Sequence, residues 1–386
     1  MASFVSFTSS TARLCITSER RVCDRGFLRN CEEEGFDVTY IPFTKDTSLF
    51  VQELNKVVEA LGAGETYAVV GFGAAAAFCL EYYVNPQNTR KIRALVAYYP
   101  TRMPGQEILY ASSMRVLLHL ANQDVDRFHG SKGAKRHSHR ERQHLSSGIG
   151  VGDRLPLRYS AFVYSAALPG FAEQGRDTYE YVSASLAWSR TLALLREELG
   201  KHNDLEEKWD KIQENRYFSP SMKDPLASYV REGNPSITFA PTLQGATGRE
   251  ALRKFYANSF PQGKPPSMKM RLISRTIGAD RVVDEIFVYF KHTQEMPWIL
   301  PHVPPTHKEV RIVVINIVCI RGGLLYSEHV YWDQASVLVQ VGLLDPRTLR
   351  GHENLEETPI VGGEAATEVL VDGQQDIADP DDLLQQ

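Results

Sequence analysis

The stretch Leu324-Leu-Tyr-Ser-Glu-His-Val-Tyr-Trp-Asp-Gln-Ala-Ser-Val-Leu-Val-Gln-Val-Gly-Leu-Leu344 changes its period half-way along. Its first part follows the turn signal Gly322-Gly323 and is rich in β-formers, namely Tyr326, Val330, Tyr331 and Trp332, which predicts a strand over 324–332. Its second part repeats Val337, Leu338, Val341 and Leu344 at helical spacing. Asp333 stands at the joint. Strand alternation puts Ser327, His329 and Tyr331 on its face. Two readings of Asp333 follow from chemistry alone. It is a helix N-cap that accepts backbone N–H bonds, or it is a functional carboxylate at the mouth of a half-buried strand.

Working upstream, 268–276, 281–292 and 310–320 read as three further strands, preceded by helices at 205–217 and 248–259 and a short strand at 236–240. Helices first and then a meander of long strands is an α+β order. Asp333 followed after three residues by Val337-Leu-Val-Gln-Val-Gly342 resembles the closing signature of SnoaL-like polyketide cyclases in the NTF2-like superfamily. Phe290-Lys-His-Thr293 and Val303-Pro-Pro-Thr-His-Lys-Glu-Val310 are similar to that family's His-containing strand end and Pro-Thr-Gly-Lys turn, with His307 in the glycine's place. The resemblance implies an NTF2-like cone, a curved antiparallel sheet wrapped against helices, and makes Asp333 the acid/base of ring closure. His329, His292 and Asp284 are the further catalytic candidates, and Tyr331, Trp332, Trp298 and Tyr217 would line the substrate site. On this reading Asp333→Asn keeps the fold and loses roughly 10²-fold in turnover.

The N-terminal half alternates strands (12–17, 36–43, 67–71, 92–99, 115–120, 159–164) with helices (19–34, 47–61, 74–83, 179–199), which predicts a doubly wound α/β layer. The turn Gly71-Phe-Gly-Ala-Ala75 joins strand to helix as a nucleophile elbow does. This half resembles dienelactone hydrolases of the α/β-hydrolase fold, through that turn, Leu95–Pro100, Val116–Leu120 and Tyr164–Ala172. The attacking residue falls on Gly73 and the catalytic His on Pro169, and neither can do that chemistry. Asp124 or Asp126 matches the third triad position. The domain therefore reads as a non-hydrolytic relic, with Cys79 as the substitute nucleophile to weigh against simple packing.

The expected organisation is a hydrolase-like domain over 1–200, an NTF2-like domain over 204–345 and a mobile acidic tail over 351–386, the fused pattern of fungal natural-product proteins. A formal net charge of −4 over 386 residues argues against a nucleic-acid or membrane role. Five scattered cysteines without a CxxC pair fit a reduced, cytoplasmic protein. The basic, His-rich stretch 129–150 reads as a solvated loop. No dinucleotide or P-loop fingerprint and no metal-ligand spacing occurs, so the expected reaction needs no cofactor and no metal. The function so read is a cofactor-independent cyclase or isomerase that closes or rearranges a ring in a hydrophobic small molecule. The alternatives are a lactone or ester hydrolase with a non-standard nucleophile, and a non-catalytic binding protein that dimerises through its open sheet.

Overall fold

The computed structural model describes residues 12–105, 108–121, 153–154, 158–218, 224–258, 264–345 and 360–371. The basic stretch 129–150, Asp124 and Asp126 lie outside them. The chain divides into two compact units, Met1–Asn203 and Asp204–Gln386.

In the first unit β1 (Arg13–Ser18), α1 (Arg25–Glu33), β2 (Asp37–Pro42), α2 (Thr47–Glu59), β3 (Tyr67–Phe72), α3 (Gly73–Tyr82), β4 (Ile92–Tyr98), β5 (Arg115–Ala121), β6 (Asp153–Arg154), β7 (Ser160–Tyr164) and α4 (Tyr181–Glu198) follow in order. The sheet runs β2-β1-β3-β4-β5-β7-β6, parallel except at β6. β3 is buried along its whole length, as a strand covered on both faces must be. Leu14, Val70 and Val96 point to one face with Phe27 of α1 and Trp188 of α4. Val69, Leu95 and Leu118 point to the other with Phe50 of α2 and Cys79 of α3. Two cores on two faces make this an α/β unit. α1 begins at Arg25 rather than at 19, because Asp24 takes the cap position and accepts from Phe27 N–H at 3.0 Å.

The second unit contains α5 (Leu205–Gln213), β8 (Ser236–Phe239), β9 (Gln244–Thr247), α6 (Arg249–Asn258), β10 (Lys269–Ile277), β11 (Arg281–Lys291), β12 (Glu309–Arg321), β13 (Leu324–Tyr331), α7 (Gln334–Gln340) and α8 (Glu364–Val371). Its sheet runs β10-β11-β12-β13-β8-β9, and only the β13–β8 pair is parallel. One face packs with Trp209 of α5 and Leu252 and Phe255 of α6 into a single core. Register shifts at Leu272/Ser274 and Cys319/Ile320 mark irregularities of the kind that bend and twist a sheet.

The stretch 324–344 is strand, joint and helix. Gly342 has φ +79° and ends α7. Its N–H donates to Val339 O at 3.0 Å, and Leu343 N–H to Leu338 O at 2.9 Å, the paired bonds of a Schellman stop. Gln340 does the work of a missing strand partner at the start of β12: it accepts from Arg311 N–H at 2.8 Å and donates to Arg311 O at 3.0 Å. His307 adopts φ +58°, so the turn keeps the left-handed backbone that favours glycine. The acidic C-terminal region is not structureless throughout, because α8 lies within it and packs on β12. Among the described residues no helix is long and apolar enough to cross a membrane.

Candidate functional site

Alternation along the strands decides which side chains enter the second unit's core. On β11 the inner set is Val282, Asp284, Ile286, Val288 and Phe290, on β12 it includes Val314 and Asn316, and on β13 it includes Glu328 and Val330. Asp284 lies directly opposite Asn316, and Asn316 Nδ2 donates diagonally to Glu328 Oε1 at 2.9 Å. A polar row, Asp284–Asn316–Glu328, therefore crosses an otherwise apolar inner face.

Each end of the row is held by an arginine. Asp284, fully buried, accepts from Arg275 Nε at 2.6 Å and Nη2 at 2.9 Å, from Trp209 Nε1 at 2.7 Å and from Gln213 Nε2 at 3.1 Å. With four donors on two oxygens its acceptor capacity is filled. Glu328, also fully buried, pairs with Arg216 Nη1 at 2.6 Å. Arg216 continues to Tyr229 Oη at 3.4 Å, which meets Tyr256 Oη at 2.9 Å.

Asn316 differs from its neighbours. Its Oδ1 is buried and has no hydrogen-bond partner among the described residues, and the residue lines a cavity of about 40 Å³. The other polar lining groups are Gln213 and Lys264. The wall is apolar: Phe239, Ile286, Val288 and Val314 from the sheet, Trp298 from the loop after β11, and Met268 and Met270 at β10. Lys264 Nζ donates to Arg216 O at 2.8 Å. Burial, and then the neighbouring Arg216 charge, pulls its ammonium below the ordinary lysine range.

The residues expected from the sequence are distributed differently. Asp333, His329 and Tyr331 do share a face, but it is the solvent-exposed one. Asp333 caps α7, accepting from Ala335 N–H at 2.9 Å and from Ser336 Oγ, and does not line the cavity. His329 and Tyr331 meet edge to face at 6.4 Å, with Tyr331 42% exposed. The register shift in the β12–β13 pair resets the alternation, so that Leu325 and Glu328 are both buried. His292 is buried at the end of β11, where Nδ1 accepts from Thr306 N–H at 3.2 Å. Burial, then the His307 side chain, lowers its pKa. Asp284 is inward but committed to Arg275. Trp298 lines the cavity, and Trp332 packs against it edge to face at 5.5 Å. Tyr217 falls in the turn Glu214–Phe218, and its side chain lies outside the described residues. Sequence reasoning did not single out Asn316, Glu328, Arg216 or Lys264. The available signal was polar residues at inward positions of β12 and β13, between Val314 and Val318 and between Leu325 and Val330.

In the first unit Gly73 has φ +58° at the strand-to-helix turn. Glu19 Oε2 accepts from Ala74 N–H at 3.2 Å and would stand 2.7 Å from a Cβ added at Gly73. A carboxylate of the chain itself thus occupies the start of α3, next to the position an attacking side chain would need. Cys79 is fully buried in α3, and burial pushes its thiol far up, the environment of a packing cysteine rather than of a reactive one.

No family model matches the sequence, and no curated protein matches it. Among solved structures, the chain is similar to a protein provisionally named a SnoaL-like polyketide cyclase from Jannaschia sp. CCS1, at 14% identity over 37% of this chain and 98% of that one, with a TM-score of 0.30. It is also similar to a protein of ketosteroid isomerase-like fold from Catenulispora acidiphila DSM 44928 in complex with trimethylamine, at 16% identity over 36% and 94% of the two chains, TM-score 0.25. A third is an NTF2-like protein of unknown function from Cytophaga hutchinsonii, at 13% identity over 33% and 99%, TM-score 0.24.

Proposed function

We propose that the second unit is a cofactor-independent cyclase or isomerase that takes a small hydrophobic carbonyl compound into the cavity beside Asn316. The observation that carries this reading is the unpartnered, buried Oδ1 of Asn316 in an apolar wall. A buried acceptor left unpaired costs about 1–3 kcal/mol, which a hydroxyl or N–H donor of a ligand removes. The enol form of a carbonyl compound is such a donor, and enol formation is the proton transfer that isomerisation and aldol closure share. The Glu328–Arg216 pair holds the Asn316 amide through its Nδ2, so the side chain is positioned before the ligand arrives.

The cavity of about 40 Å³ holds only a few waters, whereas ligand sites run to roughly 300–1,000 Å³. The adjustable wall is at β10, an edge strand of the sheet, where Met268 and Met270 are partly buried. Methionine has three rotatable bonds and repacks readily around a guest. The first unit is read as a hydrolase-like domain without hydrolytic chemistry, supported by the elbow at Gly73 and its closure by Glu19.

A panel of cyclic and linear ketones tests the reading by thermal shift. Binding is expected in the wild type and lost in Val314→Trp, which fills the cavity and whose own urea transition checks that it is folded. Ketone binding undiminished in Val314→Trp places the site elsewhere and removes the reading.

A further inference from the structure

We propose that Lys264 is a nucleophilic amine that joins a ketone or aldehyde substrate through an imine. This rests on the cavity being the substrate site, and adds a covalent step to it. Lys264 lines the same cavity as Asn316, beside Met268, Met270 and Trp298. Its Nζ is anchored by a 2.8 Å bond to the main-chain oxygen of Arg216, the residue whose guanidinium is buried against Glu328. A partly buried lysine in a mostly apolar wall next to a second cation is shifted toward the neutral amine, because it is less well hydrated and a like charge stands by. Both effects act on Lys264 in the same direction, burial first and the Arg216 charge second. A residue that served to anchor an anionic substrate would call for the opposite, an environment that holds the positive charge on. The Glu328 carboxylate is committed to Arg216 and Asn316.

The chemistry closes without any further reagent. The neutral amine adds to the carbonyl carbon and gives a carbinolamine, which loses its hydroxyl as water and forms C=N. The protonated imine withdraws electrons from the α-carbon, so that an α-proton passes to the water just released from the carbinolamine and an enamine results; that proton returns to the new alkoxide or carbon in the next step. Attack of the enamine carbon on a second carbonyl of the same molecule closes a ring, or reprotonation at another carbon isomerises it. Water then adds back to C=N, and the amine and the product carbonyl are restored. The carbinolamine hydroxyl is a donor for which Asn316 Oδ1 has an open acceptor site.

The test uses the full chain with nonan-2-one and sodium borohydride, which reduces a C=N bond to a stable secondary amine. Peptide mapping is expected to place one nonyl adduct per chain on Lys264, formed at pH 7 severalfold faster than on the average lysine, because burial and the Arg216 charge lower its pKa. The adduct is absent in Lys264→Arg and Lys264→Met. Label spread over the lysines with no preference for Lys264 overturns the proposal, and this readout needs only the wild-type protein. Nonan-2-ol, which has no carbonyl, separates the two levels of the argument. If it stabilises the wild type but not Val314→Trp while nonan-2-one leaves no adduct on Lys264, the imine is wrong and the cavity stands. If nonan-2-ol gives no shift and nonan-2-one no adduct, both fall.

Discussion

Both carboxylate oxygens of Asp333 are engaged by the first turn of α7, one by Ala335 N–H and the other by the Ser336 hydroxyl. Asparagine caps as well as aspartate, and alanine does not, the loss being about 1 kcal/mol. Asp333→Asn is therefore expected to leave the urea midpoint and the turnover unchanged, and Asp333→Ala to lower stability by about 1 kcal/mol with turnover kept. A hundredfold slower Asp333→Asn enzyme would return that carboxylate to the chemistry. Glu328 answers differently. Glu328→Gln leaves the Arg216 guanidinium buried without its counter-charge, a change that costs about 3–5 kcal/mol, measurable by denaturant unfolding. Two carboxylates five residues apart thus part company on burial and partners alone.

Elements explain why the sequence did not say which face of β13 is buried. The spacing of Ser327, His329, Tyr331 and Asp333 was read correctly as one face, but a period of two cannot say which face is inside. That depends on pairing with β12, and the shift at Cys319/Ile320 alters the phase between Leu325 and Glu328. The strand ends were legible, because glycine, proline and capping residues act locally, whereas the helical spacing read through Leu344 overran the stop of α7 at Gly342. The elbow at Gly73 was legible for the same reason, whereas its closure by Glu19, 54 positions earlier in sequence, was not. Gly73→Ser should show no esterase activity and lose roughly 1–2 kcal/mol, since its side chain enters a left-handed conformation and meets Glu19. Adding Glu19→Ala is expected to recover part of that stability and still give no hydrolysis, with p-nitrophenyl acetate as the check.

For the molecule as a whole, two units with separate cores predict two separable folding reactions, so 1–203 and 204–386 expressed alone should each show a cooperative urea transition. Acid should weaken the first of them through His119, which is fully buried between Tyr164 Oη at 2.9 Å and Thr191 Oγ1 at 3.0 Å. Burial, then the Arg190 charge, holds that imidazole well below its ordinary range. The unfolded chain therefore binds a proton below about pH 6.5 that the folded chain refuses, and stability falls as pH falls, by up to about 1.4 kcal/mol per pH unit until the folded pKa is reached. In His119→Asn this slope should flatten; an unchanged slope would assign the acid sensitivity to other groups.

Most of the strands and helices and the joint at Asp333 could be drawn from the chain itself, because periodicity, caps and turn residues are written in neighbouring positions, whereas β9 and α8 could not. The site could not. Asn316, Glu328, Arg216 and Lys264 come from four separate segments, and only the packing of α5 against the inner face and the register of β11, β12 and β13 bring their polar atoms into one apolar space, where burial rather than residue type decides what each can do.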